Sequence, residues 1–85
     1  GDALRDIASP ERLLSSDQVR QTVTDALQSL PEDLRTVITL REIEGLSYDE
    51  IAEVLGCPVG TVRSRIFRAR EVIDNRLKTV LQGID

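Results

Sequence analysis

Residues 44–71 read EGLSYDEIAEVLGCPVGTVRSRIFRARE, and the punctuation of this stretch decides the fold. Ser47 is followed three residues later by Glu50, the spacing of a capping box. Leu46 and Ile51 flank it as a hydrophobic staple. A helix is therefore expected from Tyr48 to about Leu55, with Ile51, Ala52 and Leu55 on its inner face. Gly56 can adopt the left-handed backbone that ends a helix. After Cys57 and Pro58 a second, longer helical pattern runs from about Val59 to Leu81. At 100° per residue, Val59, Val62, Ile66, Ala69, Ile73, Leu77 and Val80 fall within about 80° of arc, a core stripe. Gly60, Thr61, Arg63, Ser64, Phe67, Arg68 and Glu71 lie on the broad opposite side. A Phe among several Arg is unusual on a merely solvated face.

Upstream, two more helices are expected. Ser15 and Gln18 have capping-box spacing, and Leu14 with Val19 that of a staple. Val19, Val23, Ala26, Leu27 and Leu30 follow at helical intervals. Leu30-Pro31 breaks the pattern, and Pro31 suits the opening of a new helix. Glu32 and Asp33 sit where the macrodipole favours negative charge. Leu34, Val37, Ile38 and Arg41 share a face, and Gly45 is expected to close that helix. No period-2 run of useful length suggests a strand. Residues 1–14, with the Ser9-Pro10 step, read as an interdomain linker remnant. The expectation is an all-α domain over 15–82: four helices, with a helix-turn-helix formed by the last two.

Composition bounds what such a domain can do. With 85 residues the chain holds one small domain. The first residue is Gly1 rather than Met, as expected of a piece of a longer protein, and no secretory signal opens it. No apolar run reaches the ~18 residues of a membrane span. There is no His and one Cys, so His-based triads, His metal sites, Cys-rich zinc sites and disulfide frameworks are excluded. A lone thiol suits a reducing cytosol, and Cys57 reads as a turn filler. No catalytic residue, metal ligand or cofactor site is expected.

The formal charge of -4 seems wrong for a nucleic-acid binder until it is divided. Residues 1–58 carry 5 basic and 12 acidic side chains, whereas residues 59–85 carry 6 basic and 3 acidic ones. An acidic body thus bears one basic helix, and its charge suppresses DNA binding through any other face. On that helix Arg63 and Arg68 can fork onto guanine O6 and N7. Ser64 can donate or accept at a base edge, and Phe67 can meet a thymine methyl. Ala52 is small enough for the two helices to approach closely. Gly60 costs an interior helix roughly 1 kcal/mol against Ala, a cost that close approach to a DNA backbone would explain. Arg65 and Arg70 lie nearer the core margins and are expected to pair with Glu42, Glu44 or Glu53. Arg76 and Lys78 lie past the groove.

Leu30 to Asp74, LPEDLRTVITLREIEGLSYDEIAEVLGCPVGTVRSRIFRAREVID, resembles the C-terminal promoter-reading region (region 4) of bacterial extracytoplasmic-function (ECF) sigma factors. Within that family it is similar to the envelope-stress, sigma-E-like branch. The resemblance covers roughly residues 15–82, and the motif shows no departure from the pattern. It implies docking on the β-subunit flap of RNA polymerase and a recognition helix in the major groove of a GGAAC-like −35 element. It implies base-facing roles for Arg63, Ser64, Phe67 and Arg68, and phosphate-holding roles for Arg41, Ser47, Tyr48 and Thr61. It also implies a bacterial cytoplasmic protein, held at the inner membrane when an anti-sigma factor covers its polymerase-binding surfaces. Apolar residues of the first two helices left over from the core, with Leu27 and Val37 as probes, are expected to serve such partners. Two other readings stay open on residues alone: a response-regulator-type helix-turn-helix regulator, and a helical protein-interaction module.

Overall fold

Among the described residues, local signals start and stop the second and third helices and open the fourth where the sequence places them, with two small shifts. The computed structural model describes residues 16–82. It contains α1 (Ser16–Ser29), α2 (Glu32–Glu42), α3 (Tyr48–Leu55) and α4 (Val59–Gln82), with no strand among the described residues. The linker reading of 1–14, the Ser15 cap and the Leu14 staple lie outside the described residues. No described helix is long and apolar enough to cross a membrane.

The first shift is at Pro31, which takes the N-cap of α2 rather than its first helical position. Its φ of -55° fits a helix, but its ψ of 152° does not. Its carbonyl nevertheless starts the ladder, accepting from the N–H groups of Leu34 and Arg35 at 3.1 and 2.9 Å. Arg35 in turn donates to the carbonyls of Gln28 and Leu30, at 3.3 and 3.5 Å, where α1 gives out. The second shift is at Gly45. Helix α2 ends at Glu42, with Ile43 as its C-cap. Gly45, at φ +76°, bends the chain after that end, and the Leu46 N–H reaches back to the Leu40 carbonyl at 3.0 Å.

The capping box of α3 is complete. The Glu50 N–H donates to the Ser47 hydroxyl at 3.1 Å, and the Ser47 N–H donates to the Glu50 carboxylate at 2.7 Å. The hydrogen bond from the Ser47 backbone N–H foremost, and then the Ser47 hydroxyl, hold the Glu50 carboxyl below its ordinary pKa. A carboxyl whose pKa is lower folded than unfolded stabilises the fold above the unfolded value. That contribution is lost as pH falls through the folded value. Ser47→Ala is expected to cost about 0.5–2 kcal/mol, read as a lower urea midpoint with unchanged slope.

Helix α4 is the spine, and α1, α2 and α3 each pack against it. Leu30, Leu34, Val37, Ile38, Ile51, Val62, Ile66 and Ala69 form one buried aliphatic cluster. No polar or charged side chain is buried among the described residues. The stripe read from the sequence is the one that faces inward, but only Val62, Ile66 and Ala69 are fully covered. Val59, Ile73, Leu77 and Val80 are half-buried. At 1.5 Å per residue α4 is about 36 Å long, and the shorter helices cannot cover all of it.

Candidate nucleic-acid interface

The turn between α3 and α4 sets the angle at which α4 is presented. Gly56 caps α3 at φ +68°, a conformation that a side chain would strain. The Cys57 N–H donates to the Ala52 carbonyl at 3.1 Å, and the free thiol is half-buried against the core. The Pro58 carbonyl then accepts from the N–H groups of Thr61 and Val62 at 3.0 and 3.3 Å, opening α4.

Beyond that turn the two sides of α4 diverge sharply. Ile66 is 1% exposed, whereas its neighbour Phe67 is 67% exposed. A Phe left in water forgoes about 1.5–3 kcal/mol of burial, so its place on the surface calls for a partner. Arg63, Ser64, Phe67 and Arg68 line one open depression together with Gly60. The four residues expected to face bases are therefore contiguous on a single exposed surface. Nothing among the described residues explains Gly60: its φ is ordinary, and an added Cβ would meet no atom within 4 Å beyond its own stretch of helix backbone.

Four of the five arginines of α4 sort into two sets, while Arg76 Nη1 donates to the Ser29 hydroxyl at 3.5 Å. Arg65 Nε lies 3.7 Å from the Asp33 carboxylate, and Arg70 Nη2 is bonded to the Glu42 carboxylate. Asp33 lies in the first turn of α2 and Glu42 is its last residue, so the two pairs tie α4 to both ends of that helix. The Glu42 hydrogen bond raises the Arg70 pKa above its ordinary value. Arg70 thus takes one of the acids expected for it, while Arg65 takes Asp33 instead. Arg63 and Arg68 have no carboxylate partner among the described residues.

Of the residues expected to hold phosphates, Arg41, Ser47 and Tyr48 gather around the start of α3, and Thr61 lies in the first turn of α4. Ser47 is exposed, while Arg41, Tyr48 and Thr61 are half-buried. Arg41 Nη1 donates to the Leu46 carbonyl at 2.9 Å, and its guanidinium carbon lies 5.1 Å from the centre of the Tyr48 ring. Arg63, arriving from α4, lies 5.9 Å from the same ring. Both arginines fall within the ~6 Å reach of a cation–π contact.

A second surface escaped the sequence reading in part. Val23, Leu27, Ile38, Ile43 and Ile73 line an apolar groove of about 380 Å³, with the Glu42–Arg70 pair at its rim. Leu27 belongs to it, as expected of a leftover apolar residue. Val37 does not: it is 0% exposed and sits in the core, because α2 turns that face toward α4. Ile43 is 67% exposed and was missed. It follows the last residue of α2, so helical periodicity gives it no signal.

Sequence comparison agrees with this architecture. Residues 20–73 match the family model described as Sigma-70, region 4. The chain is 58% identical over 82 residues to the ECF RNA polymerase sigma-E factor of Escherichia coli (strain K12), covering 96% of this chain and 43% of that protein. The protein of the same name from Salmonella typhimurium (strain LT2) matches to the same extent. The RNA polymerase sigma-H factor of Pseudomonas aeruginosa is 62% identical over 80 residues, covering 94% of this chain and 42% of its own length. The chain thus spans less than half the length of these relatives. The match to the family model covers more than half of the chain and contains both the glycine turn and the exposed basic face of α4: the chain belongs to the sigma-70 region 4 family.

Proposed function

We propose that this domain reads the −35 element of promoters on behalf of an ECF sigma factor, with α4 in the major groove. The observation that carries this reading is the single surface shared by Arg63, Ser64, Phe67 and Arg68. Two unneutralised guanidinium groups, a hydroxyl and an apolar ring supply the chemistry that distinguishes base edges in a major groove. Arg41, Ser47, Tyr48 and Thr61 flank this surface and supply backbone contacts, which set register rather than sequence. The family assignment does not favour the response-regulator-type reading. The domain acts by binding, without chemistry of its own, in the bacterial cytoplasm.

The finer partners follow from the same reading. A GGAAC-like element suits two arginines that can each take a guanine. The apolar groove along α1 and α2 suits an apolar segment of the polymerase β flap, or of an anti-sigma factor that competes for it at the inner membrane. One recognition helix on an acidic monomer binds weakly. Tethering to polymerase supplies the remainder as effective concentration.

Fluorescence anisotropy of the chain on a GGAAC duplex and on a scrambled duplex, across a salt series, tests this directly. Preference for GGAAC with affinity falling as salt rises is the expected result. Equal affinity for both duplexes would overturn the −35 assignment, and no binding at low salt would overturn DNA recognition altogether. Gly60→Ala adds a diagnostic. It is expected to raise stability by up to about 1 kcal/mol and to weaken duplex binding, since the added methyl projects into the space where DNA lies. A melt and a titration on the same sample read the two opposite signs.

A further inference from the structure

We propose that the Tyr48 ring positions Arg63, and so governs how strictly that arginine reads its base pair. This inference rests on the −35 reading above. Tyr48 is the first residue of α3, held on its N-terminal side by the Ser47–Glu50 capping box. It is half-buried against the core, so its ring is a fixed platform. Arg63 stands exposed on α4 with its guanidinium carbon 5.9 Å from the centre of that ring.

The choice of partner matters chemically. A carboxylate, such as those facing Arg65 and Arg70, neutralises a guanidinium and occupies its donors. An aromatic face attracts the cation without accepting its N–H bonds, leaving the donor fork open to guanine O6 and N7. A long, exposed arginine side chain otherwise samples many rotamers, and ordering it on contact with DNA costs affinity. The ring restricts that search before DNA arrives.

Arg41 shares the ring at 5.1 Å but differs in one respect. It also donates to the Leu46 carbonyl, so leaving the ring would strain or break a hydrogen bond. Arg63 has no such second anchor among the described residues and is the one of the two that can shift from ring to base without that loss. Arg68, the other arginine of that surface without a carboxylate partner among the described residues, has no aromatic platform among them and serves as an internal control.

The test compares Tyr48→Phe and Tyr48→Leu by anisotropy on the GGAAC duplex and on duplexes substituted at one base pair each. Arg63→Ala first identifies the base pair that Arg63 reads. Tyr48→Leu is expected to reduce preference at that pair by about 2- to 5-fold, with no further loss in the Arg63→Ala background. Tyr48→Phe, which keeps the face, is expected to retain the preference. A Tyr48→Leu variant that keeps full preference at that pair would overturn the proposal, whatever uniform affinity both Tyr48 variants lose through the phosphate contact of the hydroxyl. An unmodified chain that shows no duplex preference would overturn the −35 reading and this inference with it. Should Tyr48→Leu fail to fold, the unmodified chain gives the answer by NMR. The Arg63 side-chain protons are expected upfield of those of Arg68 through the ring current, and coincident shifts would overturn the proposal.

Discussion

Ile66→Ala is expected to destabilise the fold by about 2–5 kcal/mol, while Phe67→Ala, one residue along, leaves stability within about 0.5 kcal/mol and weakens DNA binding instead. Ile66 is among the largest fully buried side chains, and it belongs to the single cluster that joins the helices. Truncating it removes transfer free energy and opens a cavity in the cluster it shares with Val37, Ile51 and Val62, whose own burial prevents easy collapse. A domain of this size holds about 5–10 kcal/mol in total, so the loss would move the urea midpoint far down. Phe67 makes no comparable contribution, because it is already in water. Its loss would remove the apolar contact to DNA proposed for it, which releases no counterions, so affinity is expected to fall while the slope of log K against log salt stays put. A changed slope would show that Phe67 acts through a neighbouring arginine.

Arg68→Ala is expected to cost about 1–3 kcal/mol of duplex affinity and to relax specificity at one base pair. Arg65→Ala is expected to leave the preference among duplexes unchanged and to change stability by no more than about 1 kcal/mol. Both are arginines of the same helix, three positions apart. Arg68 is exposed and has no carboxylate partner among the described residues, so its donors are available to a base. Arg65 is committed to Asp33, with its side chain 33% exposed. Titration against duplexes substituted one pair at a time separates the two outcomes. A uniform loss for Arg68→Ala would reduce it to a phosphate contact.

The contrast between these arginines shows where sequence reading succeeds and where it stops. The start of α3 was legible because its cap involves Ser47 and Glu50 alone, and both N–H groups find their acceptors within one turn. Gly56 was legible for a similar reason: a left-handed residue before a new apolar period is a local event. Gly45 was read less well. Its positive φ is real, but the helix had already ended at Glu42, and the glycine serves the bend after it.

Helix count, the glycine turn and the outward side of α4 follow from the order of residues, because helical period and capping act over three or four positions. The contiguity of Arg63, Ser64, Phe67 and Arg68 needs only the geometry of one helix. The pairing of Arg65 with Asp33, the placing of Arg41 and Arg63 against Tyr48, and the burial of Val37 beside an exposed Ile43 needed the packed structure. Each depends on which helices lie side by side, and Arg70 meets Glu42 across 28 positions of chain. Charge and apolar character are properties of a residue, but which opposite charge or apolar face it meets depends on how α2 and α3 settle on α4.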